Sequence, residues 1–155
     1  MPSFSTQELV SLPKTKEKRI RRLMVIHTRL TDMYGEQYRQ ADALLARAKA
    51  GSMMVATVGD EEISQDELIA QYEDARTQTV LFYKTALERA ELLVNELMPG
   101  AFPVKDQPPQ SVDADEVFQL GASLVAIGTA TGQPELVAIG AGLMAGAAIA
   151  GMLYD

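Results

Sequence analysis

Apolar residues recur at alternating steps of three and four along two long stretches of this chain, and that period predicts two long α-helices. In the first, Ile20, Met24, His27, Thr31, Tyr34, Tyr38, Ala41, Leu45 and Ala48 trace a heptad-like seam between Lys14 and Gly51, with Gly35 beside it. In the second, Ile69, Tyr72, Arg76, Thr79, Tyr83, Ala86, Ala90, Leu93 and Leu97 form a matching seam up to Met98, where Pro99-Gly100 stops the helix. Ser64-Gln65-Asp66-Glu67 has capping-box spacing and opens this second helix. Ser5-Thr6-Gln7-Glu8 has the same spacing and opens a short helix that ends by Pro13. At 1.5 Å per residue each long helix extends about 50 Å. Their matched lengths predict an antiparallel, coiled-coil-like pair. Between them Met53 to Val58 is β-prone and Gly59-Asp60 can turn, so the pattern fits either a small β-hairpin within 54–63 or an ordered loop.

The pattern changes after the second helix. Pro99, Pro103, Pro108 and Pro109 give residues 99–112 the composition of a linker. Asp113-Ala114-Asp115-Glu116 then supplies a helix cap with acidic residues where the macrodipole favours them. From Val117 to Tyr154 the only charge is Glu135, and seven of the chain's 11 glycines fall in this stretch. Leu-Val-Ala-Ile-Gly occurs twice, at 124–128 and 136–140, with Thr131-Gly132-Gln133-Pro134 between the copies. Gly132 and Pro134 therefore read as the hinge of a helical hairpin. The expected fold is all-α: a long helical hairpin over 1–98, a proline-rich linker over 99–112, and a Gly/Ala-rich apolar helical hairpin over 113–155.

Glycine in a helix interior costs about 1 kcal/mol relative to alanine, so several in one helix require a compensating contact. Ala138, Gly142, Gly146 and Ala150 are spaced by four, and Ala122, Ala126 and Ala130 repeat that spacing in the first segment. These seven residues are the expected helix-packing interface, of the small-xxx-small kind best known from lipid. Glu135 to Tyr154 extends about 30 Å and is long enough to cross a hydrocarbon core, whereas Val117 to Thr131 extends about 22 Å and carries Gln119, Ser123, Thr129 and Thr131. No Lys or Arg flanks either segment, so the positive-inside rule assigns no orientation. Lipid around the hairpin and neighbouring protein subunits around it both remain open.

Charge divides the chain. Residues 1–50 hold ten Lys/Arg against five Asp/Glu, a balance of +5, while residues 51–155 hold four against sixteen, a balance of −12. Such asymmetry bears on partners and self-association rather than fold. The basic start of the first long helix is expected beside Glu88, Glu91 and Glu96. Asp66, Glu67, Glu73 and Asp74 are expected near Arg39, Arg47 and Lys49. Lys14, Lys16, Lys18, Arg19, Arg21 and Arg22 form the densest basic cluster. Contact with phosphate or anionic lipid is the sharper reading of it, and a solvated helix face answered by those glutamates is the favoured one.

Catalytic constellations do not form on this pattern, and neither a cofactor nor a metal is expected. Cysteine is missing, which removes disulfides and thiolate chemistry, and Met1 to Leu12 lacks the order of a secretory signal. His27 is the only histidine and lies on the apolar seam, where a packed role is expected. Gly140-Ala141-Gly142-Leu143-Met144-Ala145 fits a dinucleotide-binding pattern, but no second strand and acidic residue follow at the required distance. Asp60, Glu61, Glu62, Asp66 and Glu67 lack the spacing of a calcium loop. The tyrosines fall at seam spacing and read as core.

The helical body 14–98 followed by the Gly/Ala hairpin 117–154 resembles the small internal virion, or ejection, proteins of tailed bacteriophages. That resemblance implies a non-enzymatic role: assembly with copies of itself and with other virion proteins, then formation of a DNA-ejection conduit in a host membrane. The implied location is the virion, then the host membrane after release. Two other readings stand beside it. One is a soluble, cytoplasmic helical oligomer acting as adaptor or scaffold, with the hairpin buried between subunits. The other is a bacterial membrane-active pore former. Direct nucleic-acid contact is not favoured.

Overall fold

The computed structural model describes residues 3–50, 57–58, 61–62, 64–103 and 113–153. Its helices are α1 (Thr6–Val10), α2 (Lys14–Lys49), α3 (Gln65–Leu97), α4 (Ala114–Ala130) and α5 (Pro134–Gly151). The expected all-α fold is what the chain adopts. Helix α2, with 36 residues, and α3, with 33, form the long hairpin. Two-residue strands β1 (Thr57–Val58) and β2 (Glu61–Glu62) pair antiparallel between them, within the span expected for a hairpin. The rest of the 54–63 expectation lies outside the described residues.

The helix starts follow their caps. The Ser5 hydroxyl accepts from the Glu8 amide at 3.1 Å, and Ser64 accepts from Glu67 at 3.2 Å. Asp113 accepts from the amides of both Asp115 and Glu116, at 3.0 and 3.3 Å. These bonds satisfy N-terminal donors that have no partner within the helix. Between α4 and α5, Gly132 takes φ +66°, its amide donates to Thr129 and the Gln133 amide donates to Gly128. That is a Schellman stop, and Pro134 restarts the chain as the first residue of α5. The hinge expected at Gly132 and Pro134 is this turn.

The seams differ from expectation in register. On α2 the buried residues are Ile20, Leu23, Ile26, Leu30, Gln37, Ala41, Leu44, Leu45 and Ala48, whereas Thr31 and Tyr38 are exposed. The three–four rhythm is right, but its middle runs one position earlier, through Leu30 and Gln37. On α3 the buried line includes Leu68, Tyr72, Ala75, Thr79, Phe82, Tyr83 and Ala86. Arg76, expected on that seam, lies instead at its edge over the Tyr38 ring.

Residues 99–103 are not free linker. Gly100 turns the chain at φ +83°, and Ala101 and Phe102 are buried. The Asn95 side chain holds Phe102 by both its amide and its carbonyl, and the Ser3 amide donates to Ala101. Phe102 packs against the His27 ring at 5.1 Å, and His27 Nε2 lies 3.6 Å from the Glu91 carboxylate. The proline-rich residues 104–112 lie outside the described residues. Beyond them α5 lies along α2 and touches α3, while α4 is outboard, packed along α5 and near β1.

Candidate functional site

Helix α5 meets two different surfaces, and its glycines divide between them. Toward α4 the backbones nearly touch. A Cβ placed on Gly121 would lie 2.6 Å from the Gly140 carbonyl oxygen, and one on Gly140 would lie 2.5 Å from the Gly121 oxygen. Gly128 is equally close to the Val137 amide, at 2.8 Å. Toward α2 and α3, Gly142 lies against the Gln37 amide, and Gly146 lies against the rings of Tyr83 and Phe82. Ala150 is fully buried.

The ridge Ala138–Gly142–Gly146–Ala150 therefore seats α5 on the long hairpin through Gly142 and Gly146. Ala122, Ala126 and Ala130, expected in the helix-packing interface, are exposed on the outer face of α4. The α4 face that packs is Gly121, Leu124 and Gly128. The physical reason is approach distance. Backbones this close tolerate hydrogen but not a methyl group, so the crossing selects glycine over alanine.

The seat beneath α5 is partly polar. The buried Tyr83 hydroxyl donates to the Gly142 carbonyl at 2.9 Å, and its ring stacks on Tyr34 at 5.9 Å. Burial pushes the Tyr83 hydroxyl far above the ordinary tyrosine range. Gln37 presents its Oε1, and Tyr72 its hydroxyl, to the interior without a hydrogen-bond partner. The Tyr72 hydroxyl is pushed up to about 12, first by burial and then by the nearby Glu135 carboxylate. At the start of α5, Arg47 Nη1 meets Glu135 Oε1 at 2.6 Å, linking α5 to α2. Gln37 was not expected in a seam, and only its position opposite Gly142 explains it.

The outward side of α5 is apolar. Ala141, Ala145 and Ala148 are exposed on α5, Met152 is exposed just past its end, and Phe118 is exposed on α4. By length and composition α5 is the one helix among the described residues able to cross a membrane, at 18 residues or about 27 Å.

The expected charge pairing is only partly realised. Lys49 meets Glu73 at 3.2 Å and Arg76 meets Asp42 at 3.3 Å. The basic cluster behaves otherwise: Arg21 pairs with Glu17 of its own helix at 3.0 Å. Among the described residues, no acidic side chain lies within ion-pair distance of Lys14, Lys16, Lys18, Arg19 or Arg22. The glutamates expected to answer them do not, and Glu91 lies 3.6 Å from His27 Nε2 instead.

An open groove of about 670 Å³ runs between α2 and α3, lined by Tyr38, Leu45, Lys49, Glu73, Arg76 and Leu81 among others. Its Lys49 and Arg76 are already paired with Glu73 and Asp42, and Arg76 also donates to the Tyr38 hydroxyl at 3.0 Å. Those contacts brace the two helices against each other. Among the described residues, no three His, Cys, Asp or Glu side chains converge as a metal site. The side chains of Asp60, Glu61 and Glu62 lie outside the described residues.

Compared with known proteins, the chain matches no family model, no curated protein and no solved structure.

Proposed function

We propose that the chain is a non-enzymatic assembly protein that oligomerises and delivers its α4–α5 hairpin into a membrane. One observation carries this reading: α5 turns an apolar, uncharged face outward and rests on a seat that contains polar groups without partners. Ala141, Ala145, Ala148, Met152 and Phe118 face solvent, while Gln37 Oε1 and the Tyr72 hydroxyl are buried unpaired. An unpaired buried polar group costs about 1–3 kcal/mol, which lowers the cost of lifting the hairpin away. The contact between α4 and α5 is the tighter one, so the two helices leave as a unit.

The resemblance to internal virion proteins of tailed phages supplies the setting: assembly with other virion proteins, then a DNA-ejection conduit in the host membrane.

A second reading has its own support. Ala122, Ala126 and Ala130 form a small-residue ridge on the exposed side of α4, and Gln119, Ser123 and Thr129 make that helix a poor lipid span. Such a face suits a neighbouring subunit, with the hairpin buried in a soluble oligomer acting as a scaffold.

The test uses the full chain and Ala145→Glu, which places a charge on the outward face and leaves the seat intact. Flotation with neutral phosphatidylcholine liposomes should carry the parent chain and lose the variant, while both keep the same helical content and melting temperature. Equal flotation of the two overturns membrane delivery. Light scattering without lipid separates the second reading, which requires an oligomer that Ala145→Glu or Ala126→Glu dissolves.

A further inference from the structure

Helix α2 carries a cationic stripe that no acidic side chain among the described residues answers. Lys14, Lys18, Arg22 and Arg29 are all exposed, and their spacing of four, four and seven keeps them on one face of the helix. At 100° per residue they fall within about 80° of arc, and they extend about 22 Å along the axis. None has an acidic partner among the described residues. Val25 sits inside the stripe and is 58% exposed, more than the other exposed large hydrophobics. Asp32, eighteen residues after Lys14 and on the same face, ends it.

A row of like charges repels itself and gains nothing internally. Held on a rigid rod in a chain of net charge −7, it is a feature directed at a partner. We infer that the first half of α2 is a docking surface for an anionic lipid bilayer, with Lys14, Lys18, Arg22 and Arg29 on headgroup phosphates and Val25 in the interface. Two observations favour lipid over a nucleic acid. A straight row of cations meets a flat surface at every position at once, whereas a duplex curves away from it. An exposed valine between the cations adds nothing to a phosphate ladder, but it suits the boundary between headgroups and acyl chains. This inference rests on the membrane reading above, of which it supplies the first, reversible contact, and it involves residues remote from the hairpin in sequence.

Each Lys or Arg near an anionic surface contributes about fivefold to binding, so removing two lowers partitioning about 30-fold. The experiment measures partitioning of the full chain onto neutral phosphatidylcholine vesicles and onto vesicles with about 30 mol% phosphatidylserine. Full chain, Lys18→Gln with Arg22→Gln, and Ala145→Glu are compared. Expected are preference for the anionic vesicles, weakening with salt, and a loss of about 30-fold in the double variant with unchanged circular dichroism. Ala145→Glu should retain salt-sensitive binding to anionic vesicles, so failure of hairpin delivery and failure of docking read out separately. Equal binding of parent and double variant overturns the inference. So does a double variant whose only change is a smaller oligomer, which assigns the stripe to the acidic half of a second copy. Salt-dependent retention on duplex DNA without vesicle binding overturns it as well.

Discussion

The hydroxyl of Tyr83 donates a hydrogen bond to the carbonyl oxygen of Gly142, 59 positions further along the chain, at 2.9 Å. The acceptor lies in the interior of α5, so it also serves the helix's own ladder, and the phenol is a second donor on one oxygen. Tyr83→Phe keeps the ring, its stack on Tyr34 and its contact with Phe82. A neutral hydrogen bond contributes about 1 kcal/mol net, and loss of this one leaves the carbonyl still bonded. The expected outcome is a loss of about 1 kcal/mol in denaturant unfolding, with faster amide exchange concentrated in α5. Loss of several kcal/mol would mean that the hydroxyl supports more than this bond.

The glycines of α5 should differ according to what each faces. Gly140→Ala drives a methyl into the Gly121 carbonyl and the Val125 amide, backbone atoms that cannot step aside. Overpacking of this kind costs about 1–3 kcal/mol, against a gain of about 1 kcal/mol in helix propensity. Gly142→Ala meets the flexible end of Gln37 instead, which can swing away. Thermal melts should therefore rank Gly140→Ala below Gly142→Ala. The reverse order would place the tight crossing on the wrong side of α5.

That ranking also marks what the sequence could disclose. Hydrophobic period located both long helices, and proline, glycine and capping residues located the stops and the turn at Gly132–Pro134, because these follow from local backbone chemistry. Which small residues pack is a different matter. Ala122, Ala126 and Ala130 fit a four-residue ridge better than Gly121 and Gly128 do, yet the latter pair carries the crossing, since only backbone approach distance separates the two sets. A sharper rule would have weighted glycine, the costlier residue, over alanine. Gln37 was missed for the opposite reason: a polar residue breaks an apolar pattern, and its partner Gly142 is 105 positions away. The exposed basic stripe was legible as composition, but its lack of answering glutamates depended on side-chain directions that no spacing encodes.

Gly35 offers a control free of packing. It lies within α2, is exposed, and a Cβ there would meet nothing within 4 Å. Gly35→Ala should then stabilise the chain by the propensity difference alone, about 1 kcal/mol, read as a higher denaturation midpoint at unchanged slope. No gain, or a loss, would show that α2 needs to bend or to be approached at Gly35.

Tyr72 contributes a pH dependence on the alkaline side. Its hydroxyl is buried without a hydrogen-bond partner, and burial, helped by Glu135, pushes it from 10.0 up to about 12. In the folded chain the proton is held more tightly than in the unfolded one. Below pH 10 both states keep it and the group adds no slope. Between pH 10 and about 12 the unfolded chain gives up the proton first, so unfolding becomes easier as pH rises. Tyr72→Phe removes both effects. At neutral pH it deletes an unsatisfied hydroxyl from the interior, and stability should rise by about 1 kcal/mol. At higher pH the variant escapes the linked proton release, so its advantage over the parent chain should widen from pH 9 to pH 12. Comparing the two proteins at each pH cancels the titration of every other group. An advantage that stays constant with pH would mean that Tyr72 ionises alike in both states, and an initial loss of stability would mean that its hydroxyl has a partner.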